Sequence, residues 1–246
     1  MEQYFEYHYS GPAFELFGDA HLLSMAIIAS AVAFLIWGWK NPTETSKRNA
    51  RLLMLGVFLL IEISWHSWNV YHGTWTIQKH LPLHACSISA WCSILILITR
   101  SYRIYEIIFF IGLAGATQTV LTPDAGEYGL PHFRAIQTIA AHGMIIIVMT
   151  FMTVIEGYRP TWRSIWKALF AANIYMVLVT GVNLLIGSNY MYTLGKPASA
   201  SILDMMGPWP WYLFWAEFLA LGLFTIFYLP FAIADWRAKR QVAVTT

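Results

Sequence analysis

A thiol and an imidazole are the two side chains of this sequence best equipped for covalent chemistry. Cys86 sits in Leu81-Pro82-Leu83-His84-Ala85-Cys86-Ser87-Ile88-Ser89, which opens an apolar run continuing to Thr99. His142 lies between Ala140-Ala141 and Gly143-Met144, a setting that leaves space around its ring and gives it no local partner. Together they are the equipment for acyl transfer through a thioester: the imidazole takes the thiol proton and the sulfur attacks an acyl carbonyl. The simpler alternative for Cys86 is a buried structural cysteine, and for His142 a lone imidazole satisfied by a bond to another helix.

Further polar groups interrupt the apolar segments, and such groups at membrane depth are functional candidates by default. Glu62, His66 and Asn69 follow at spacings of four and three, along one helical face. They read equally as functional groups, a catalytic pair or metal ligands, and as a buried ion pair that holds the bundle together. His84, Gln118, Gln137, Asn183, Asn189 and Glu217 complete the candidates for support or substrate binding. His84 is two positions from Cys86, about 200° around a helix, and so a poor base for that thiol. Ser89 and Ser93 share the face of Cys86 instead. Glu62, Gln137 or Asn183 are the groups expected to orient the imidazole of His142.

The elements that must position these residues are transmembrane helices. Of the 246 residues, 58% are hydrophobic and 11% charged, where soluble domains carry about 25% charged residues. Mean hydropathy is +0.54. The composition implies an all-α polytopic membrane bundle forming a single domain over 1–246. Seven segments are apolar enough to span a bilayer: about 21–39, 51–71, 82–99, 103–122, 134–156, 166–187 and 210–232. Pro82 suits the first turn of the third, which puts Cys86 near a helix N-terminus, whose partial positive charge attracts a thiolate. Cys86 and Cys92, six residues apart on one helix, stand ~9 Å apart, too far for a disulfide. The first twenty residues hold Glu2, Glu6, Glu15 and Asp19 and no basic residue, so no secretory signal is expected. Asp19 and His21 read as interfacial residues.

Charge gives the orientation. Lys40, Lys47, Arg48, Arg51, Arg100, Arg103, Arg159, Arg163, Lys167, Arg237, Lys239 and Arg240, twelve of the fifteen Lys and Arg, fall on one side of an alternating seven-span bundle. The positive-inside rule makes that side cytoplasmic, with the N-terminus outside and the C-terminus inside. In this arrangement the polar residues of six helices share the outer half of the membrane. Independent core residues have no reason to sort by depth, so the sequence predicts a polar cavity towards the outer leaflet, beside phospholipid ester bonds.

Five motifs carry a resemblance. Leu81-Pro82-Leu83-His84-Ala85-Cys86, Gly115-Ala116-Thr117-Gln118 with Leu121-Thr122-Pro123-Asp124, His142-Gly143, Gly187-Ser188-Asn189-Tyr190-Met191-Tyr192, and Leu203-Asp204 with Gly207-Pro208-Trp209-Pro210-Trp211-Tyr212 occur in order. The chain resembles the YwaF-type bacterial integral membrane proteins, which are similar to the eukaryotic transmembrane protein 164 family. The resemblance implies an acyltransferase of the bacterial cytoplasmic membrane that moves a fatty acyl chain between phospholipid and lysophospholipid. Cys86 would be the nucleophile and His142 the base, with no metal, cofactor or nucleic-acid partner. Two other readings stand beside it. Glu62, His66, His84 and His142 could ligate zinc in an intramembrane lipid hydrolase, although the seventh segment lacks a histidine pair. A seven-span bundle with an outward cavity could also be a non-enzymatic receptor, lipid-binding or transport protein.

Overall fold

The computed structural model describes residues 2–124, 126–197 and 201–245, and all regular structure among them is helical. Seven α-helices follow in order: α1 Asp19–Ala33, α2 Glu44–Tyr71, α3 Ala85–Thr99, α4 Tyr102–Leu121, α5 Phe133–Val154, α6 Trp162–Ile186 and α7 Trp211–Thr245. A π-helical turn, Phe34–Gly38, extends α1. Six of the seven are long and apolar enough to cross a membrane, with α1 counted together with its π turn. The protein is an integral membrane protein by this measure. Large apolar side chains face outward, Leu60 at 68%, Phe170 at 69% and Leu185 at 85% exposure, as lipid contact requires.

α4 and α5 form the centre. α4 packs against α3, α5, α6 and α7, and α5 against α1, α2, α3 and α4. The core between them is Phe109, Phe110, Leu113, Ile145, Val148 and Met149. Ion pairs tie the basic ends together. The buried Glu156 carboxylate, just past α5, binds Arg51 at the start of α2 and Arg100 after α3, the latter at 2.6 Å. Arg159 binds Asp235 near the end of α7 at 2.5 Å. Lys167 in α6 binds Glu106 in α4 at 2.8 Å. The starts of α2, α4 and α6 thus gather with the ends of α3, α5 and α7, so these helices alternate in direction.

α3 differs from the expected third span. It begins at Ala85, not at Pro82, because His84 is extended (φ −70°, ψ 151°) and acts as its N-cap. Its 15 residues rise only ~22 Å, short of the ~30 Å hydrocarbon core. α2, by contrast, starts seven residues before the expected span, where Thr43 caps it by accepting from the Ser46 amide.

Non-helical backbone at membrane depth is tolerated only where protein satisfies its polar groups. Tyr190 does this for the segment before α3. Its phenol donates to the Ile77 carbonyl at 2.7 Å and accepts from the Leu81 amide at 2.9 Å. Tyr175 of α6 donates to the Leu83 carbonyl at 3.1 Å. Tyr190→Phe removes the first two bonds and leaves the Leu81 amide and the Ile77 carbonyl without them. It should cost about 1–3 kcal/mol, measured as a lowered thermal unfolding midpoint in detergent.

Candidate functional site

The late start of α3 sets the depth of Cys86. A Cβ at Gly112 of α4 would lie 3.0 Å from Ile145 of α5 and 3.5 Å from Ser89 of α3, so these three residues form one layer. One turn outward on each helix, that is, away from the basic ends, come Gly115, His142 and Cys86. A Cβ at Gly115 would meet Cys86 Sγ at 2.9 Å, so the thiol lies directly on the α4 backbone. Gly115 is six residues before the end of α4 and His142 nine after the start of α5, ~9 Å and ~13 Å from the outer ends. The N-terminus of α3 is therefore sunk below the outer ends of its neighbours. Glu62 joins the same level: it is one turn inward of Trp65, which stacks under the Arg134 guanidinium, as His142 is one turn inward of Thr138.

Cys86 and His142 are both half-buried. The thiol stands beside the Thr119 hydroxyl, which donates to the Gly115 carbonyl at 3.0 Å. His142 Nδ1 lies 2.7 Å from the Thr138 carbonyl. A carbonyl only accepts, so Nδ1 carries the proton and Nε2 keeps the basic lone pair. His84 caps α3 without a side-chain capping bond. Among the described residues, the backbone amides of Ala85, Cys86 and Ser87 consequently have no acceptor. Three N–H groups are thus left open at the helix start that carries Cys86.

A model of the TMEM164 family matches residues 16–228. The chain belongs to the TMEM164 family. Neither a curated protein nor a solved structure matches it.

The other sequence-nominated residues of this TMEM164-family chain divide into groups. Gln137 is buried and accepts from Arg134 at 3.0 Å, so it does not orient His142, and the Thr138 carbonyl takes that role. Asn183 is fully buried and ties the loop after α6: its amide binds the Tyr190 carbonyl and Thr193, and its carbonyl accepts from Ser188 and the Tyr190 amide. Asn189 bonds Leu194 and Gly195 in the same loop. His84 accepts from the Met191 amide at 3.2 Å and its ring packs on Tyr190 and Tyr192, turned to the loop rather than the thiol. His66 accepts from Trp75 at 3.1 Å. Glu217 pairs with Asn173 at 3.0 Å, between α6 and α7. Gln118 is exposed at the outer end of α4. Glu62 is 6% exposed. Among the described residues, no group of three His, Cys, Asp or Glu could hold a metal ion.

Several neighbours were not legible as site residues. Thr119 signals nothing beyond a helix-compatible hydroxyl. Tyr192 lies near enough for Asp124 and the Cys86 sulfur to act on its phenol, and burial chiefly holds that phenol above its ordinary range. His21 is 1% exposed: it accepts from the Phe17 amide and donates to the Val120 carbonyl at 2.9 Å, fixing α1 to the end of α4. The N-terminal segment crosses the outer ends of α2 and α5, where Trp68 and His72 donate to the Phe5 carbonyl and His132 to the Glu6 carbonyl. Burial lowers the pKa of His132, so its ring stays neutral at pH 7 and Nδ1 accepts from the Arg134 amide at 3.1 Å.

The contact at Gly115 makes a prediction. Gly115→Val forces the added carbons onto the sulfur, at a cost comparable to overpacking a core. It should slow labelling of Cys86 by a membrane-permeant maleimide about tenfold or more, read by intact-protein mass.

Proposed function

We propose that the protein is a cysteine-dependent acyltransferase that moves a fatty acyl chain between phospholipid and lysophospholipid. What supports this reading is that Cys86, at a helix start with three acceptor-free amides, and His142, with Nδ1 bonded to the Thr138 carbonyl, fall at one level of the bundle. His142 Nε2 takes the thiol proton, and the thiolate attacks the ester carbonyl carbon. The amides of Cys86 and Ser87 receive the negative oxygen of the tetrahedral intermediate, as backbone donors do in acyl transfer. The carbon–oxygen bond then breaks, the leaving glycerol oxygen takes the proton from His142, and the acyl chain remains as a thioester. A lysophospholipid hydroxyl gives its proton to His142 and attacks the thioester, the carbon–sulfur bond breaks, and the Cys86 thiolate takes the proton back from His142. The site faces the outer leaflet of a bacterial cytoplasmic membrane, with the N-terminus outside and all seven helices, the short α3 included, in the membrane.

The zinc hydrolase reading has less support, since Glu62, His66, His84 and His142 do not gather into a ligand set among the described residues. A purely ligand-binding role leaves the sunken α3 N-terminus and the oriented imidazole without purpose. The test is transacylation by purified protein, using phospholipid labelled in the acyl chain and unlabelled lysophospholipid. Label should appear in the acceptor faster than in free fatty acid. Lipid binding with no label in either product contradicts the proposal.

A further inference from the structure

Arg134 is a charged side chain within the first turn of a spanning helix, and the acyl-transfer chemistry gives it no part. Such a residue is costly in a membrane and calls for a partner. Its guanidinium lies 4.2 Å from the centre of the Trp65 ring, stacked on its face. Nη1 donates to Gln137 Oε1 at 3.0 Å and to Thr138 Oγ1. A guanidinium has five N–H groups. The two on Nη1 are therefore satisfied by neutral acceptors, and among the described residues Nε and Nη2 have none. That unsatisfied edge is the fork that matches two oxygens of a phosphate or carboxylate. Asp124 and Tyr128 are the groups whose charge bears on Arg134, and its own charge reaches His80, His132 and His142. The setting is thus rich in bases around a cation with free donors.

Its position relative to the thiol layer is also informative. Arg134, Thr138 and His142 follow at intervals of four on one face of α5. The guanidinium reaches inward to Thr138, so it stands one turn, ~6 Å, outward of the His142 and Cys86 level. In a glycerophospholipid only the glycerol bridge separates an ester carbonyl from the phosphate. An ester at Cys86 would bring that phosphate to about the height of the guanidinium. We infer that Arg134 is the phosphate anchor of the site, its Nε–Nη2 edge binding the phosphate oxygens of a glycerophospholipid and its lyso form while Trp65 and Gln137 hold the guanidinium in place. This rests on the acyl-transfer reading for the substrate's orientation, but not for its binding.

The test uses full-length protein carrying Cys86→Ala, so that no turnover occurs, and measures binding in detergent by thermophoresis. The probes are 1-acyl lysophosphatidylglycerol, the monoacylglycerol with the same chain, and inorganic phosphate. The lysophospholipid should bind about tenfold tighter than the monoacylglycerol. Adding Arg134→Gln should bring the two within about twofold, and Arg134→Lys should restore only part of the difference, because an ammonium lacks the fork. Equal binding of the two lipids before Arg134 is altered would overturn the assignment without relying on any variant at that position. So would a tenfold preference that survives Arg134→Gln. Inorganic phosphate competing as strongly as the lysolipid would overturn the lipid assignment in favour of a free anion. A thioester that fails to form in the parent chain would count against acyl transfer alone and leave this comparison intact.

Discussion

Cys86→Ser should lower phospholipid acyl turnover at least about a thousandfold, the scale on which loss of a nucleophile registers. Serine is the sharp test because it keeps most of what the fold asks of the position. Its hydroxyl is smaller than the thiol, so the contact with Gly115 is relieved rather than worsened. The α3 N-terminus and its amides stay as they are. What changes is the nucleophile: an alcohol is far weaker at neutral pH than a thiol, and His142 has no carboxylate on Nδ1 to strengthen it. The unfolding midpoint should stay within a few degrees of the parent, which separates lost chemistry from lost structure. Retained turnover with a stable Cys86→Ser protein would remove the thioester from the mechanism.

His142→Ala should cost about 10²–10⁴ in turnover, the usual contribution of a positioned acid–base group. The size follows from the tautomer. The Thr138 carbonyl fixes the proton on Nδ1, so the free lone pair is on Nε2 for the whole population rather than part of it. The pH profile offers a second readout. With the base removed, the remaining rate should rise with pH as the thiolate forms unaided, where the parent levels off earlier. His142→Gln should rescue folding, since its amide can still donate to Thr138, but not turnover. Equal losses in structure and activity would reduce His142 to a packing residue.

Much of the architecture was legible from residue types. Runs of apolar residues separated by basic clusters marked the helices, and Arg51, Arg100, Arg159 and Lys167 do gather at one end through Glu156, Asp235 and Glu106. The start of α3 was not legible. Pro82 permits a first helical turn, but Tyr190 and Tyr175, about a hundred residues later in the chain, hold the backbone before Ala85 in another form. Cys86 therefore sits at a helix start well below the ends of the neighbouring helices. Within the site, side-chain type pointed to Glu62, Gln137 or Asn183 as the group orienting His142. A backbone carbonyl does so, and a carbonyl has no signature in a sequence. Asn183 and Asn189 were nominated for polarity, whereas their polar groups are used by the loop they fold. Arg134 was not singled out, because its position in the sequence cannot reveal the Trp65 ring beneath it.

The central claim is that an acyl chain passes through the sulfur of Cys86. Intact-protein mass spectrometry, after brief incubation with a defined phospholipid and no acceptor, tests it directly. The account predicts an added mass equal to one acyl group, released by hydroxylamine, mapped to the peptide bearing Cys86 and absent from Cys86→Ala. Turnover of the phospholipid with no such adduct, or an adduct that persists in Cys86→Ala, would contradict it.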